Sequence, residues 1–192
     1  HLDAVRGGAS LAVVAYHIRY NFFLDYAQVE APGMLARLFY VATSFGHDAV
    51  MVFFVLSGYL ISGTILKDLK RQDWSWARYL LHRLVRLYVV LVPGLLLTVF
   101  WDGLGMSVFA SHPAYTGAAQ TWINDFFPVQ ERFTPAIFLA NLGFLQATSG
   151  IPGFGTAGQL WSLTYEFAYY LMFPAALLVF WPGTSWPIRI LC

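Results

Sequence analysis

Charge is what this chain has least of. Only 11% of its 192 residues are Asp, Glu, Lys or Arg, against about 25% in an ordinary soluble domain. The formal net charge is +1, so there is no basic excess of the kind that binds nucleic acid, and no nucleic-acid partner is expected. There is one cysteine, Cys192, which excludes a disulfide framework. Five histidines are scattered without an H-x-x-x-H pair, and with no cysteine pair either, no metal site is expected. A G-x-S-x-G nucleophile elbow is missing, because Ser57 in FFVLSGYL lacks the first glycine. The run GFGTAG, Gly153 to Gly158, matches G-x-G-x-x-G. It lacks the preceding strand and the acidic residue about 20 positions later that a dinucleotide site needs, and reads as a flexible loop. The first apolar run has neither a basic flank nor a small-residue cleavage site, so it does not read as a cleavable signal.

What is present is apolar: 58% of the residues are hydrophobic and 18% aromatic. One globular core of this size cannot hide that surface, so the expected fold class is all-α, a polytopic transmembrane helical bundle in a lipid bilayer. Five membrane segments of up to about 20 residues are expected, near 4–24, 46–66, 84–104, 134–148 and 159–181. The fourth is short and could span, tilt little or re-enter. Pro93 and Pro174 fall inside the third and fifth and are expected to kink them. Residues 67–86 hold six of the eleven Lys and Arg, whereas 105–133 hold only Arg132. The positive-inside rule then makes 67–86 and the N-terminus cytoplasmic. Trp74, Trp76, Trp101, Trp122 and Trp161 fall near expected helix ends, as in an aromatic belt. The chain begins at His1 and stops after a Pro- and Trp-rich stretch, and so reads as part of a longer protein.

Four constellations stand out against this background. Arg6 and His17 lie close to three helical turns apart, on one face and about 16 Å along the axis, with Asp3 one turn before Arg6 and able to pair with it. Ionisable groups in a membrane helix are costly and point to function, with a structural polar pair as the plain alternative. Arg83 and Arg86, beside His82, share a face at the cytoplasmic mouth of the third segment. An arginine fork suits phosphate, while ordinary positive-inside anchoring explains them as well. Ser57-Gly58 offers small residues that let a helix or a slender ligand approach. Glu166, beside Ser162 and Thr164, is the lone carboxylate of the fifth segment. It could hold a protonated histidine, bind a hydroxyl or pair with an arginine.

Taken in order, LDAVRG with His17, GHDAVMVFFVLSGYLI, HRLVRLYVV, NLGFLQ and LWSLTYEFAYYLMFP resemble the acyltransferase 3 family from Leu2 to about Pro174. The R-x10-H pattern falls on Arg6 and His17, FF-x-x-SG on Phe53, Phe54, Ser57 and Gly58, R-x-x-R on Arg83 and Arg86, and WSL…E on Trp161, Ser162 and Glu166. Two departures are His47-Asp48, where many members have Gly-Val-Asp or similar, and Phe167 in place of a second acidic residue. The resemblance implies one integral-membrane domain over 1–192, the N-terminal half of a protein of about ten helices and truncated at both ends. It also implies a multi-pass enzyme of the plasma membrane that moves an acyl group, acetyl in the first instance, from cytoplasmic acyl-CoA to a hydroxyl of an exported or cell-surface carbohydrate.

On that reading Arg83 and Arg86 bind the CoA phosphates and the pantetheine arm threads past Ser57-Gly58. His17 acts as general base or carries the acyl group as acyl-histidine. Arg6 polarises the thioester or holds CoA, with Asp3 orienting it, and Glu166 positions the acceptor or stabilises His17. A proton-coupled transporter with an Arg, His and Glu path, or a non-catalytic membrane fragment, would fit the bare residues without the resemblance.

Overall fold

The computed structural model describes residues 1–117, 128–147 and 150–180. Every regular element among them is helical, apart from an isolated bridge between Gln146 and Ile151. The chain divides into two compact units, His1–Trp74 and Ser75–Cys192.

The first unit holds α1 (Leu2–Phe22), α2 (Met34–Ala42) and α3 (Gly46–Lys70). Charges match the helix dipoles: Asp3 opens α1 and Arg19 closes it, while Asp48 opens α3 and Lys67 and Lys70 close it. The α1–α3 pair forms the body of the unit, with Ala9, Ala49, Ile61, Ile65 and Leu69 buried. Gly46 sets the closest approach, since a Cβ there would overlap the ring of Tyr16. The short α2, not expected from the sequence, follows a 3-10 turn at Tyr26–Gln28 and the break at Pro32.

The second unit runs through α4 (Trp76–Val108), α5 (Pro113–Thr116), α6 (Val129–Arg132), α7 (Pro135–Leu142) and α8 (Trp161–Phe180). The helix α4 starts eight residues earlier than the third expected segment because Ser75 caps it, its Oγ accepting from Arg78 N at 3.4 Å. It is continuous through Pro93 and about 50 Å long. Its buried stripe Leu87, Leu91, Leu95 repeats every four residues, and so does Tyr170, Pro174, Leu178 on α8. Such stripes let α4 and α8 pack side by side. Outside that seam, Val85, Val89, Leu96, Leu97, Phe100 and Trp101 of α4 are all more than half exposed. Apolar surface on this scale is suited to lipid, not water.

Three stretches are long and apolar enough to cross a membrane: Met34–Lys70, which takes in α2 and α3, then Trp76–Val108 and Gly158–Phe180. Two of the five expected segments are not among them. Although α1 has the length, Asp3, Arg6, His17, Arg19 and Asn21 dilute its apolar character. The fourth segment shrinks to α7, eight residues or about 12 Å, too short for a hydrocarbon core of about 30 Å. It starts at Pro135 behind the cap Thr134, whose Oγ1 accepts from Ile137 N at 3.3 Å. Of the tryptophans expected in a belt, Trp122 lies outside the described residues.

Candidate functional site

In the first unit the candidates sit along α1 and in the middle of α3. Arg6 is half-buried and pairs with a fully exposed Asp3 at 3.8 Å, the expected partner, though an ion pair this open adds little to stability. His17 is half-buried and meets the Tyr16 ring edge-on at 5.5 Å. Its carbonyl accepts from Asn21 Nδ2 at 2.7 Å. Two residues on, the Arg19 guanidinium lies 5.4 Å from the ring centroids of both Tyr16 and Tyr40. Tyr40 in turn donates to the Leu24 carbonyl at 2.5 Å. The helix around His17 is thus braced by Tyr16 against Gly46 and by Arg19 between Tyr16 and Tyr40.

Ser57 and Gly58 behave differently from a helix-packing pair. No atom comes within 4 Å of a Cβ built on Gly58, so the glycine does not mediate a close helix contact among the described residues. The Ser57 hydroxyl is shielded and has no hydrogen-bond partner there either.

In the second unit the arginine pair splits. Arg83 is half-buried and Arg86 exposed. The Arg83 guanidinium stands 5.4 Å from the Tyr79 ring centroid and 5.6 Å from that of Tyr170, a cation held between aromatic faces. Glu166 is half-buried, and its Oε1 accepts from the hydroxyl of Tyr170, one turn further along α8. Ser162 is half-buried; Thr164, two residues on, is 2% exposed with a hydroxyl that has no partner among the described residues. Phe167 stacks on Phe144 at 4.8 Å, so the residue after Glu166 makes a ring contact. Arg6, His17, Ser57 and Gly58 thus belong to the first unit, and Arg83, Arg86, Ser162 and Glu166 to the second.

A further polar cluster was not singled out from the sequence. Asp102, 4% exposed near the end of α4, accepts from Thr156 N at 2.7 Å and from Thr156 Oγ1 at 2.9 Å. Asn141 of α7 donates to the Pro152 carbonyl at 3.0 Å and accepts from Phe154 N at 3.0 Å. Gln146 donates to the Leu160 carbonyl at 3.2 Å. Together they fasten residues 152–160, the strand of loop that leads into Trp161, Ser162 and Glu166. The GFGTAG run is therefore a loop, as its sequence indicates, but a buried and pinned one: Phe154, Gly155 and Ala157 are buried. Gly155 has φ +52°, and a Cβ there would collide with the Asp102 carboxylate, so glycine is required on two counts. Arg132, 6% exposed, has its guanidinium pKa pushed down by burial, and the Asp102 charge acts against that shift. A lone carboxylate in an apolar helix is the signal that drew attention to Glu166, and the same signal marks Asp102.

Among the described residues no group of three or more His, Cys, Asp or Glu is placed to hold a metal.

The model of the acyltransferase 3 family, described as an acyltransferase domain, matches residues 1–192. The peptidoglycan O-acetyltransferase OatA of Listeria monocytogenes is 29% identical over 185 residues, covering 93% of this chain and 24% of that protein. An O-acetyl transferase of Shigella phage Sf6 is 31% identical over 129 residues, 67% of this chain and 34% of that protein. The acyltransferase MdmB of Streptomyces mycarofaciens is 29% identical over 174 residues, 90% of this chain and 38% of that protein. The chain thus spans between about a quarter and two fifths of the length of these relatives. No solved structure matches it. A helical chain with lipid-suited surfaces, a histidine and arginine on one helix and an aromatic-held arginine on another, matched over its whole length, belongs to the acyltransferase 3 family.

Proposed function

We propose that this chain is part of a membrane O-acyltransferase that takes an acyl group, acetyl in the first instance, from cytoplasmic acyl-CoA and delivers it to a hydroxyl of an exported or cell-surface carbohydrate. The observation that carries the reading is the family match over all 192 residues, with two of the matched relatives bearing O-acetyltransferase names. The positive-inside distribution supports a cytoplasmic N-terminus, and the membrane proposed is the plasma membrane.

The chemistry asked of the residues is plain. An alcohol is a poor nucleophile at neutral pH. His17, as a neutral imidazole, takes the proton from the acceptor hydroxyl as its oxygen attacks the thioester carbon. The new C–O bond forms, the C–S bond breaks, and the proton passes on to the CoA thiolate. A general base of this kind is worth about 10²–10⁴-fold in rate. In the other order of events the His17 imidazole attacks the thioester carbon first: a C–N bond forms, the C–S bond breaks and CoA leaves as the thiol with the imidazole proton. The acceptor oxygen then attacks the acyl carbon, the C–N bond breaks and the hydroxyl proton returns to His17. Arg83 and Arg86 supply the charge and donor geometry for CoA phosphates. The shielded Ser57 hydroxyl, without a partner among the described residues, beside an uncrowded Gly58 suits a slender polar chain such as pantetheine. Arg6, kept near Asp3, offers a cation to the thioester oxygen or to CoA.

The deciding experiment follows label from acetyl-CoA into surface glycans, using membranes that carry the full-length protein. Wild-type protein is expected to transfer label, and His17→Ala to lose at least 10²-fold of it while inserting and accumulating normally. Wild-type transfer by the His17 variant would remove the histidine from the mechanism. Absence of transfer by the wild type to any glycan would remove the reading itself.

A further inference from the structure

Tyr170 was not part of the sequence-derived site, yet it touches two members of it. It is 1% exposed, the largest of the fully buried side chains. Its ring face lies 5.6 Å from the Arg83 guanidinium across the α4–α8 seam. Its hydroxyl donates to Glu166 Oε1 on its own helix. The two contacts use separate parts of the side chain. The negative ring face attracts a cation, and the phenol O–H makes a charge-assisted hydrogen bond to a carboxylate. A half-buried carboxylate in an apolar helix needs such a donor, because burying it bare is costly. Glu166 stands only about 6 Å along α8 from Tyr170, so the carboxylate is about one helical turn from the residue that holds the arginine.

Resting on the acyltransferase reading above, we propose that Tyr170 is a positioning residue that holds Arg83 and Glu166 in fixed register, which places Glu166 on the acyl-CoA side of the reaction. The ring face keeps the guanidinium aimed at the donor, and the hydroxyl keeps the carboxylate oriented for the chemical step.

The separation of the two contacts makes the proposal testable by kinetics on membranes carrying the full-length protein, with acetyl-CoA as the varied substrate. Tyr170→Phe keeps the ring and removes the hydroxyl. It is expected to lower kcat by about ten- to hundred-fold, the loss associated with one hydrogen bond to a charged group, with KM for acetyl-CoA unchanged. Tyr170→Leu removes both contacts. It is expected to show the same fall in kcat and to raise KM for acetyl-CoA as far as Arg83→Ala does, and the Arg83→Ala/Tyr170→Leu double variant is expected to raise KM no further. A purely structural role would reduce the amount of active enzyme without this division between kcat and KM. Wild-type kcat in Tyr170→Phe, or additive KM effects in the double variant, would overturn the proposal while leaving the acyltransferase reading in place. A wild-type protein that neither binds nor consumes acetyl-CoA would overturn both. Because Tyr170→Phe preserves the packed ring, it decides the matter even where Tyr170→Leu fails to accumulate.

Discussion

The polar groups of the two units are held in different ways. Along α1 they lean on their own helix: Ser10 donates to the Arg6 carbonyl and Asn21 to the His17 carbonyl, each four residues away, and Asp3 faces outward. In the second unit they reach across the sequence. Asp102 and Thr156 are 54 residues apart, as are Tyr88 and Leu142, and Asn141 bonds to segments 11 and 13 residues on. The first arrangement satisfies backbone carbonyls within the helix itself, and α1 is tied to its neighbours by packing on α3 and by Arg19 on the Tyr40 ring. The second fixes a loop and a helix start at several points, the way a scaffold keeps binding groups in place. A substitution on α1 is therefore expected to act locally, whereas one in the loop clamp should be felt along α8.

The largest effect follows from cutting the clamp. Asp102→Ala leaves the amide and hydroxyl of Thr156 without their acceptor, a loss of about 1–3 kcal/mol for each group left unsatisfied, and takes an opposite charge from the surroundings of Arg132. Gly155→Ala attacks the same point from the other side, through its positive φ and the overlap with the Asp102 carboxylate. Thermal unfolding of the detergent-solubilised protein should show a marked fall for both. Asp102→Ala with wild-type stability would mean that the clamp is not a main support of the second unit, and the contrast between the units would fail.

How much of this was legible in the sequence depends on the range of the interaction. Helices near 4–24, 46–66, 84–104 and 159–181 could be read because apolar runs are local signals, and α1, α3, α4 and α8 fall there. The Asp3–Arg6 pair was legible for the same reason. Tyr170 beneath Arg83, and Asp102 on the GFGTAG loop, depend on pairings 87 and 54 positions apart that no local pattern encodes. Segment lengths were less legible than segment positions. The stretch 134–148 shortens to α7, Pro135–Leu142, because the chain turns at Gly143, with Phe144 at φ +58° and Ala147 at φ +67°.

A smaller effect sharpens the comparison inside the first unit. Gly46→Ala would push into Tyr16, the neighbour of His17, at the α1–α3 approach. Overpacking of this sort costs about 1–3 kcal/mol and should lower acyl transfer through displacement of α1. Gly58→Ala meets nothing within 4 Å and should leave stability unchanged. A fall in stability for Gly58→Ala equal to that for Gly46→Ala would place a neighbour against Gly58 and make it a packing residue after all. Unchanged stability with a raised KM for acetyl-CoA would instead favour the pantetheine passage.

The smallest expected difference tests whether being held matters within a single motif. Arg83 and Arg86 share a face of α4, but Arg83 is held between the rings of Tyr79 and Tyr170 whereas Arg86 is exposed. An aromatic-held guanidinium loses less freedom on meeting a phosphate, and its charge is less screened by salt. Arg83→Ala is therefore expected to raise KM for acetyl-CoA by roughly ten-fold, equivalent to about 1.4 kcal/mol, and Arg83→Lys should not restore it, because a lysine ammonium cannot reproduce the planar fork. Arg86→Ala should raise KM by only about two- to three-fold, an effect that fades as ionic strength rises. Equal, salt-sensitive increases from the two variants would show that the motif acts as a diffuse positive patch at the membrane surface, and that the aromatic seat of Arg83 contributes nothing to donor binding.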